Sequence, residues 1–370
     1  MIVRRDRQAT FPHAGPGDLR GPGPLASRVD VTDTRSDAPG VAGGRVALVA
    51  GATRGAGRAI AVELARSGFY VYATGRSSRT AGPSEIGRPE TIEETGDLIA
   101  AAGGTGGALV VDHENPAAVA ELVAGIEREK GRLDLLVNDI FGGDRYMEWE
   151  KPLWEHEWAG GLRMLQMGVH THLITCRAAI PLILRTAEAQ GSQGLVVEMT
   201  DGTSAANADF RRNVGFYYDL VKANVERIVK GLHAELDERP VTVVGVTPGW
   251  LRSEKMLENF GVSEANWRDA VKQRPGFGIS ESPTYVARGV AALAGAAAAD
   301  RWAGTIISAR QLADAYGITD TDGSRPNCWG HIAAYGWKHD DGRGIGDRRA
   351  RSGDLLQRPD QGSGQAEGGK

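Results

Sequence analysis

The sequence predicts an α/β fold, a parallel sheet with helices packed on both faces. Three observations carry this expectation. Short, continuously apolar runs recur, beginning with VALVA at 46–50, as strands buried on both faces require. Segments of helical periodicity separate them, and that alternation demands parallel strands joined by crossover helices. A glycine-rich turn, Gly51-Ala52-Thr53-Arg54-Gly55-Ala56-Gly57, ends the first strand and opens the first helix.

The elements follow in order. After the first strand comes a helix from Arg58 to Ser67, then strand FYVYAT (69–74). A helix near Ile92 to Ala102 precedes strand GALVVD (107–112), and a helix from Ala117 to Lys130 precedes LDLLVN (133–138). Leu162 to Ala189 reads as one long helix interrupted near Pro181. Strand LVVEMT (195–200), helix Tyr217 to Leu236, strand VTVVGVT (241–247), helix Pro283 to Ala297 and strand TIIS (305–308) complete the set. No repeat of solenoid period is present. Residues 1–43 and 338–370 are polar, rich in glycine and aperiodic, and are expected to be disordered. Residues 44–337 are expected to form a single domain.

Composition excludes several classes. A net charge of −4 with 24% charged residues gives no basic surface for nucleic acid. Cys176 and Cys328 are the two cysteines, too few for a disulfide framework and wrongly spaced for a metal, so no metal is expected. The most apolar stretch, Gly289 to Ala299, is too short for a membrane span. Arg4, Arg5 and Arg7 are followed by no apolar core, unlike a secretory signal. A soluble cytoplasmic protein is the expectation.

The glycine turn suggests a nucleotide. Glycines let the backbone approach a pyrophosphate, and a helix N-terminus offers free N–H groups and a favourable dipole. Gly51, Thr53, Arg54, Gly55, Ala56 and Gly57 are the candidate phosphate-binding residues. The second strand ends in Ala73-Thr74-Gly75-Arg76-Ser77, with no acid to bond a ribose hydroxyl. Arg76 there, with Arg54 from the turn, suits a 2′-phosphate, so NADP(H) is expected over NAD(H). Asp112 ends the third strand, where it would either flank an adenine or cap the next helix. Asn138, in the turn Asn138-Asp139-Ile140-Phe141-Gly142-Gly143, should run beside the cofactor ribose.

Tyr218 and Lys222 are four apart on an expected helix, hence on one face. A phenol ordinarily titrates near 10, and a neighbouring ammonium lowers that value. The pair can therefore exchange a proton with a carbonyl or alcohol oxygen. Tyr217 has Val221 at the same offset and is the poorer candidate.

These features resemble the short-chain dehydrogenase/reductase family over roughly residues 44 to 310. Gly51, Gly55 and Gly57 match its glycine motif, Tyr218 and Lys222 its catalytic pair, and Pro248-Gly249 its turn after the sixth strand. Ser253 falls where the family usually has a threonine that bonds the nicotinamide carboxamide. The resemblance implies a doubly wound, seven-stranded Rossmann sheet, a carbonyl or alcohol substrate, and a homodimer or homotetramer. The stretch Gly317-Ile318-Thr319-Asp320-Thr321-Asp322-Gly323-Ser324 and the long C-terminal region resemble a subgroup similar to the mammalian family member called one.

Two positions depart from the pattern. Where the family places a substrate-polarising serine, this chain reads Thr200-Asp201-Gly202-Thr203-Ser204, and Asp201, Thr203 or Ser204 could substitute. An ionised Asp201 could only accept hydrogen bonds and would raise the Tyr218 pKa. Gly168 stands where the family has a proton-relay asparagine; the nearby His170 and His172 cannot share a helix face as a metal pair. Tyr146, Trp149, Trp154, Trp158, Trp250, Met256, Phe260 and Trp267 either wall the substrate space or pack at an oligomer interface. The expected activity is hydride transfer between NADP(H) and a carbonyl or alcohol, with Tyr218 as acid/base, Lys222 tuning it and Asp201 orienting the substrate oxygen. A non-catalytic NADP(H)-binding regulator or scaffold, and an epimerase or dehydratase, are the alternatives.

Overall fold

The computed structural model describes residues 44–296 and 299–336. The extensions expected at 1–43 and 338–370 lie outside them. Seven parallel strands form one sheet in the order β3-β2-β1-β4-β5-β6-β7. They are β1 Val46–Ala50, β2 Tyr70–Gly75, β3 Thr105–Val110, β4 Leu135–Asn138, β5 Gly194–Met199, β6 Val241–Thr247 and β7 Ile306–Ser308. The order reverses beside β1, the switch point at which open α/β sheets bind ligands.

The longer helices are α1 Gly55–Arg66, α2 Ile92–Ala101, α3 Pro116–Lys130, α4 Trp158–Leu165 and α5 Thr171–Gln190. Short α6 Ser204–Asn207 precedes α7 Phe216–Glu235. Then come α8 Glu254–Asn259, α9 Ala270–Gln273, α10 Pro283–Gly295, α11 Ala309–Tyr316 and α12 Cys328–Tyr335. Ile60 and Leu64 of α1, Ile99 of α2, Val290 of α10 and Leu312 of α11 cover one face of the sheet. Ile126 of α3, Ala179 and Ile183 of α5 and Val229 of α7 cover the other. Both layers exclude water from β1, β4 and β5, so these strands carry apolar residues without alternation.

The long helix differs from the expectation. It breaks at a π-turn, Gln166–His170, rather than at Pro181, which lies inside α5. Pro181 is exposed, so the carbonyl left without its donor can reach water. At the π-turn the Thr171 hydroxyl donates to the Met167 carbonyl at 2.7 Å and satisfies it. The helical run Trp158–Gln190 is long and apolar enough to cross a membrane by length and composition alone. Here its apolar face, with Cys176, Ala179, Leu182 and Ile183, is buried on the sheet.

Candidate active site

A cleft opens beyond the carboxyl ends of β1 to β4. Its walls include Gly51, Thr53 and Arg54 after β1, Arg76 after β2, Asp112 after β3, and Phe141 after β4. Gly51 has φ +86°, and a Cβ there would collide with the Asp139 carbonyl, so only glycine lets the two turns meet. Helix α1 starts at Gly55, three residues earlier than expected, which brings Gly55, Ala56 and Gly57 into its first turn. The Gly55 N–H donates to Glu254 Oε2 at 3.0 Å, and Arg58 Nη1 lies 3.7 Å from Glu254 Oε1. A carboxylate from α8 thus rests on the anion-attracting end of α1.

Both expected phosphate-binding arginines line the cleft, and both are ion-paired. Arg54 meets Asp144 at 3.1 Å. Arg76 meets Glu114 at 2.8 Å and Glu85 at 3.2 Å, and Arg163 bridges the same two acids at 2.5 and 2.6 Å. The Arg163 hydrogen bond holds Glu85 below the usual carboxylate range. Arg88, which the sequence reading missed, is a third arginine on the cleft wall, paired with Glu90 and Glu258. The signal available was Arg88 in the long polar connection between β2 and α2, where loops carry function.

Other expected cofactor residues divide. Asp112 is exposed at the rim, and its Oδ1 accepts the Glu114 N–H at 3.0 Å. It does not cap α3; Asn115 does, accepting the N–H groups of Ala117 and Ala118. Asn138 does not face the cleft. Its amide points into the sheet core and donates to Glu198 Oε1 at 2.8 Å. Pro248, Gly249 and Ser253 follow β6 and are not among the residues lining the cleft. The Pro248 carbonyl accepts Trp329 Nε1–H at 2.7 Å, which docks α12 on that turn.

Tyr218 and Lys222 lie one turn apart on α7, beside the cleft residue Phe141. The Tyr218 ring meets Phe141 edge-on at 5.7 Å, and Lys222 Nζ sits 3.9 Å above the same ring. Lys222 is 5.6 Å from the Tyr218 ring centroid. Tyr217 points elsewhere, buried with Met164 and Val221. The Tyr218 hydroxyl donates to Asp201 Oδ2 at 3.0 Å. Burial, then the Asp201 charge, hold the phenol well above its ordinary value. Burial lowers Lys222, against the pull of Asp201, Asp139 and Asp144.

Asp201 therefore stands against the phenol, whereas the Thr200 and Thr203 hydroxyls are committed elsewhere and Ser204 is exposed. Thr203 caps α6 through the Ala206 N–H, and the Thr200 hydroxyl donates to the Lys222 carbonyl at 2.8 Å. A second residue missed in the sequence, Arg211, clamps Asp201. Its Nη1 reaches Asp201 Oδ2 at 3.2 Å, its Nη2 the Asp201 carbonyl at 3.0 Å, and its Nε reaches Asp219 at 2.9 Å. Asp139 is a third. Burial pushes its carboxyl up to about 6, against Lys222 and the Gly57 N–H.

Gly168 has no room for the relay asparagine. A Cβ there would collide with Val221 of α7. His170 is exposed, whereas His172 is buried, with Nδ1 2.5 Å from Glu198 Oε2 and Nε2 3.0 Å from the Ile140 carbonyl. Both ring nitrogens face oxygen acceptors, so the Nδ1–Oε2 contact holds a proton. Trp149, Trp154 and Trp158 are exposed, while Trp250, Met256, Phe260 and Trp267 pack around buried Phe277. Among the described residues no cluster of three or more metal-ligating side chains occurs.

Comparison with known proteins identifies the family. The family model described as short chain dehydrogenase matches residues 45–261, more than half of the chain. Dehydrogenase/reductase SDR family member 1 of Mus musculus is 29% identical over 285 residues, covering 76% of this chain and 84% of that protein. A 3-oxoacyl-[acyl-carrier-protein] reductase of Pseudomonas aeruginosa is 28% identical, covering 66% and 93%. A solved structure of a putative 2-deoxy-D-gluconate 3-dehydrogenase from Agrobacterium tumefaciens, with bound NADP, superposes with TM-score 0.54 at 25% identity, covering 72% and 94%. The chain belongs to the short-chain dehydrogenase family of nicotinamide-dependent oxidoreductases, and within it is similar to family member 1.

Proposed function

We propose that this protein transfers a hydride between NADP(H) and a carbonyl or alcohol substrate, with Tyr218 as the acid/base. The observation that carries this is the Tyr218 hydroxyl, 3.0 Å from Asp201 and one helical turn from Lys222, on a helix packed against the cleft residue Phe141. The residues present fit such a cofactor: the glycine turn and α1 would hold its pyrophosphate, and Arg54, Arg76 and Arg88 offer three guanidinium groups for a 2′-phosphate. When bound, the nicotinamide supplies or accepts the hydride. Tyr218 exchanges the proton with the substrate oxygen, Lys222 reaches for the ribose, and Asp201 orients the substrate oxygen. A cytoplasmic homodimer or homotetramer belongs to the same reading, with Leu162, Leu173 and Leu220 exposed on α4, α5 and α7.

The test is a panel of carbonyl and alcohol compounds followed at the nicotinamide absorbance with both cofactors. Tyr218→Phe should lower kcat/KM by roughly 10²–10⁴ while leaving NADPH binding unchanged. NADPH binding with no turnover on any compound would instead support a regulator. Arg76→Ala should weaken NADPH more than NADH; equal affinities unchanged from wild type refute the phosphate preference.

A further inference from the structure

We propose that the site selects substrates carrying a hydrogen-bond donor next to the reacting alcohol, a vicinal hydroxyl or ammonium, and that Asp201 is the residue that selects them. The inference rests on the hydride-transfer reading above and adds its substrate class. Its ground is the polarity of one hydrogen bond. Tyr218 spends its single proton on Asp201 Oδ2, so the phenol oxygen turns lone pairs toward a ligand.

Asp201 is ion-paired to Arg211, and a carboxylate in an ion pair accepts hydrogen bonds and donates none. Both interactions of its side chain fall on Oδ2; among the described residues Oδ1 makes no hydrogen bond. The Asp201 side chain is 31% exposed, whereas that of Arg211 is 8% exposed, so a ligand can reach the acceptor and not the guanidinium. A ketone oxygen, itself an acceptor, meets two acceptors here. It must first break the Tyr218–Asp201 bond. An alcohol donates its hydroxyl to the phenol oxygen at once. A second hydroxyl or ammonium on the adjacent carbon can then donate to Asp201 Oδ1, because gauche vicinal heteroatoms lie about one hydrogen-bond length apart.

The chemistry balances in the oxidative direction. The hydride leaves the carbinol carbon for the oxidised nicotinamide dinucleotide. The alcohol proton passes to the Tyr218 oxygen as the phenol's own proton passes to Asp201 Oδ2. The product is a carbonyl with the neighbouring donor intact, and the proton on Asp201 leaves through its exposed side.

The experiment compares 1-phenylethane-1,2-diol and 2-amino-1-phenylethanol with 1-phenylethanol. Calorimetric binding to the NADPH-loaded protein should favour the two bifunctional probes at least tenfold, the scale of a hydrogen bond to a charged group. Asp201→Asn keeps an oxygen for Arg211 and removes the anion; it should bring the three affinities within about threefold. Asp201→Ser, compared only if its thermal midpoint matches wild type, should do the same. Equal affinities in the wild type, no binding of the bifunctional probes, or a preference that survives Asp201→Asn each overturns the proposal. Turnover with NADP⁺ separates the two readings: preferential binding without oxidation leaves the donor-selecting site standing and removes the hydride-transfer reading.

Discussion

Arg211 grips Asp201 at two points, through Nη1 to the carboxylate at 3.2 Å and through Nη2 to the main-chain carbonyl at 3.0 Å. Its Nε also bonds buried Asp219 of α7, so one guanidinium ties the loop after β5 to the helix that carries Tyr218. Arg211→Met would leave the Asp219 carboxylate without its cation, at a cost of about 3 kcal/mol. Arg211→Lys keeps the charge and loses the three-point fork, and should fall between. Thermal unfolding checks this. A Met variant that melts with wild type removes the clamp from the stability argument.

Gly168 sits in the π-turn before α5, against Val221 of α7, with no space for a Cβ. Gly168→Ala should push α7 away and displace Tyr218 and Lys222 together. Overpacking of this kind costs about 1–3 kcal/mol. The activity should drop further than the stability alone accounts for, and Val221→Ala should restore it in the double variant. A double mutant no better than Gly168→Ala argues against this contact as the cause.

The sheet was legible because burial on both faces writes continuous apolar strands, and because each crossover helix keeps its own period. The ends of helices were less so: α1 starts at Gly55, since helix N-termini are set by the turn before them. Asp201 was legible by position alone, one residue after a strand that must point at the cofactor. Arg211 and Asp139 were not, because each acts through partners brought together by folding. Glu198 was the overlooked signal, an acid inside LVVEMT that a buried strand tolerates only with a partner, here His172. The 317–324 stretch acquires a physical reason too. Asp320 accepts the Ser282 N–H that opens α10, at 2.9 Å, and meets buried Arg252 at 3.2 Å. It thereby pins the loop after β6.

Asp139 should give stability a distinctive pH dependence. Its folded value of about 6 lies above its ordinary 3.8, with burial the cause and Lys222, the Gly57 N–H, His172 and Arg54 opposing. Between those values the native protein holds a proton that the unfolded chain has released. Its contribution is therefore full below about pH 4 and is lost as pH rises through 6. Asp139→Asn cannot titrate. Relative to that variant, wild type should lose about 3 kcal/mol between acid and neutral pH, at about 1.4 kcal/mol for each pH unit between the ordinary and folded values. Denaturant titrations across that range check the difference, and parallel curves for the two proteins contradict it.

Glu254 occupies the Gly55 N–H that a pyrophosphate would use, and Glu258 from the same helix engages Arg88. Binding an anionic dinucleotide must then displace at least the first of these carboxylates or bear its repulsion. Glu254→Gln removes the charge and keeps the side-chain shape. NADPH affinity should rise by roughly 3- to 10-fold, the scale of about 1 kcal/mol from one unscreened neighbouring charge. The gain should shrink as salt rises, because screening weakens the repulsion that the substitution removes. Fluorescence titration of NADPH at two ionic strengths measures both effects. If the variant binds more weakly than wild type, the carboxylate is helping to build the site rather than filling it.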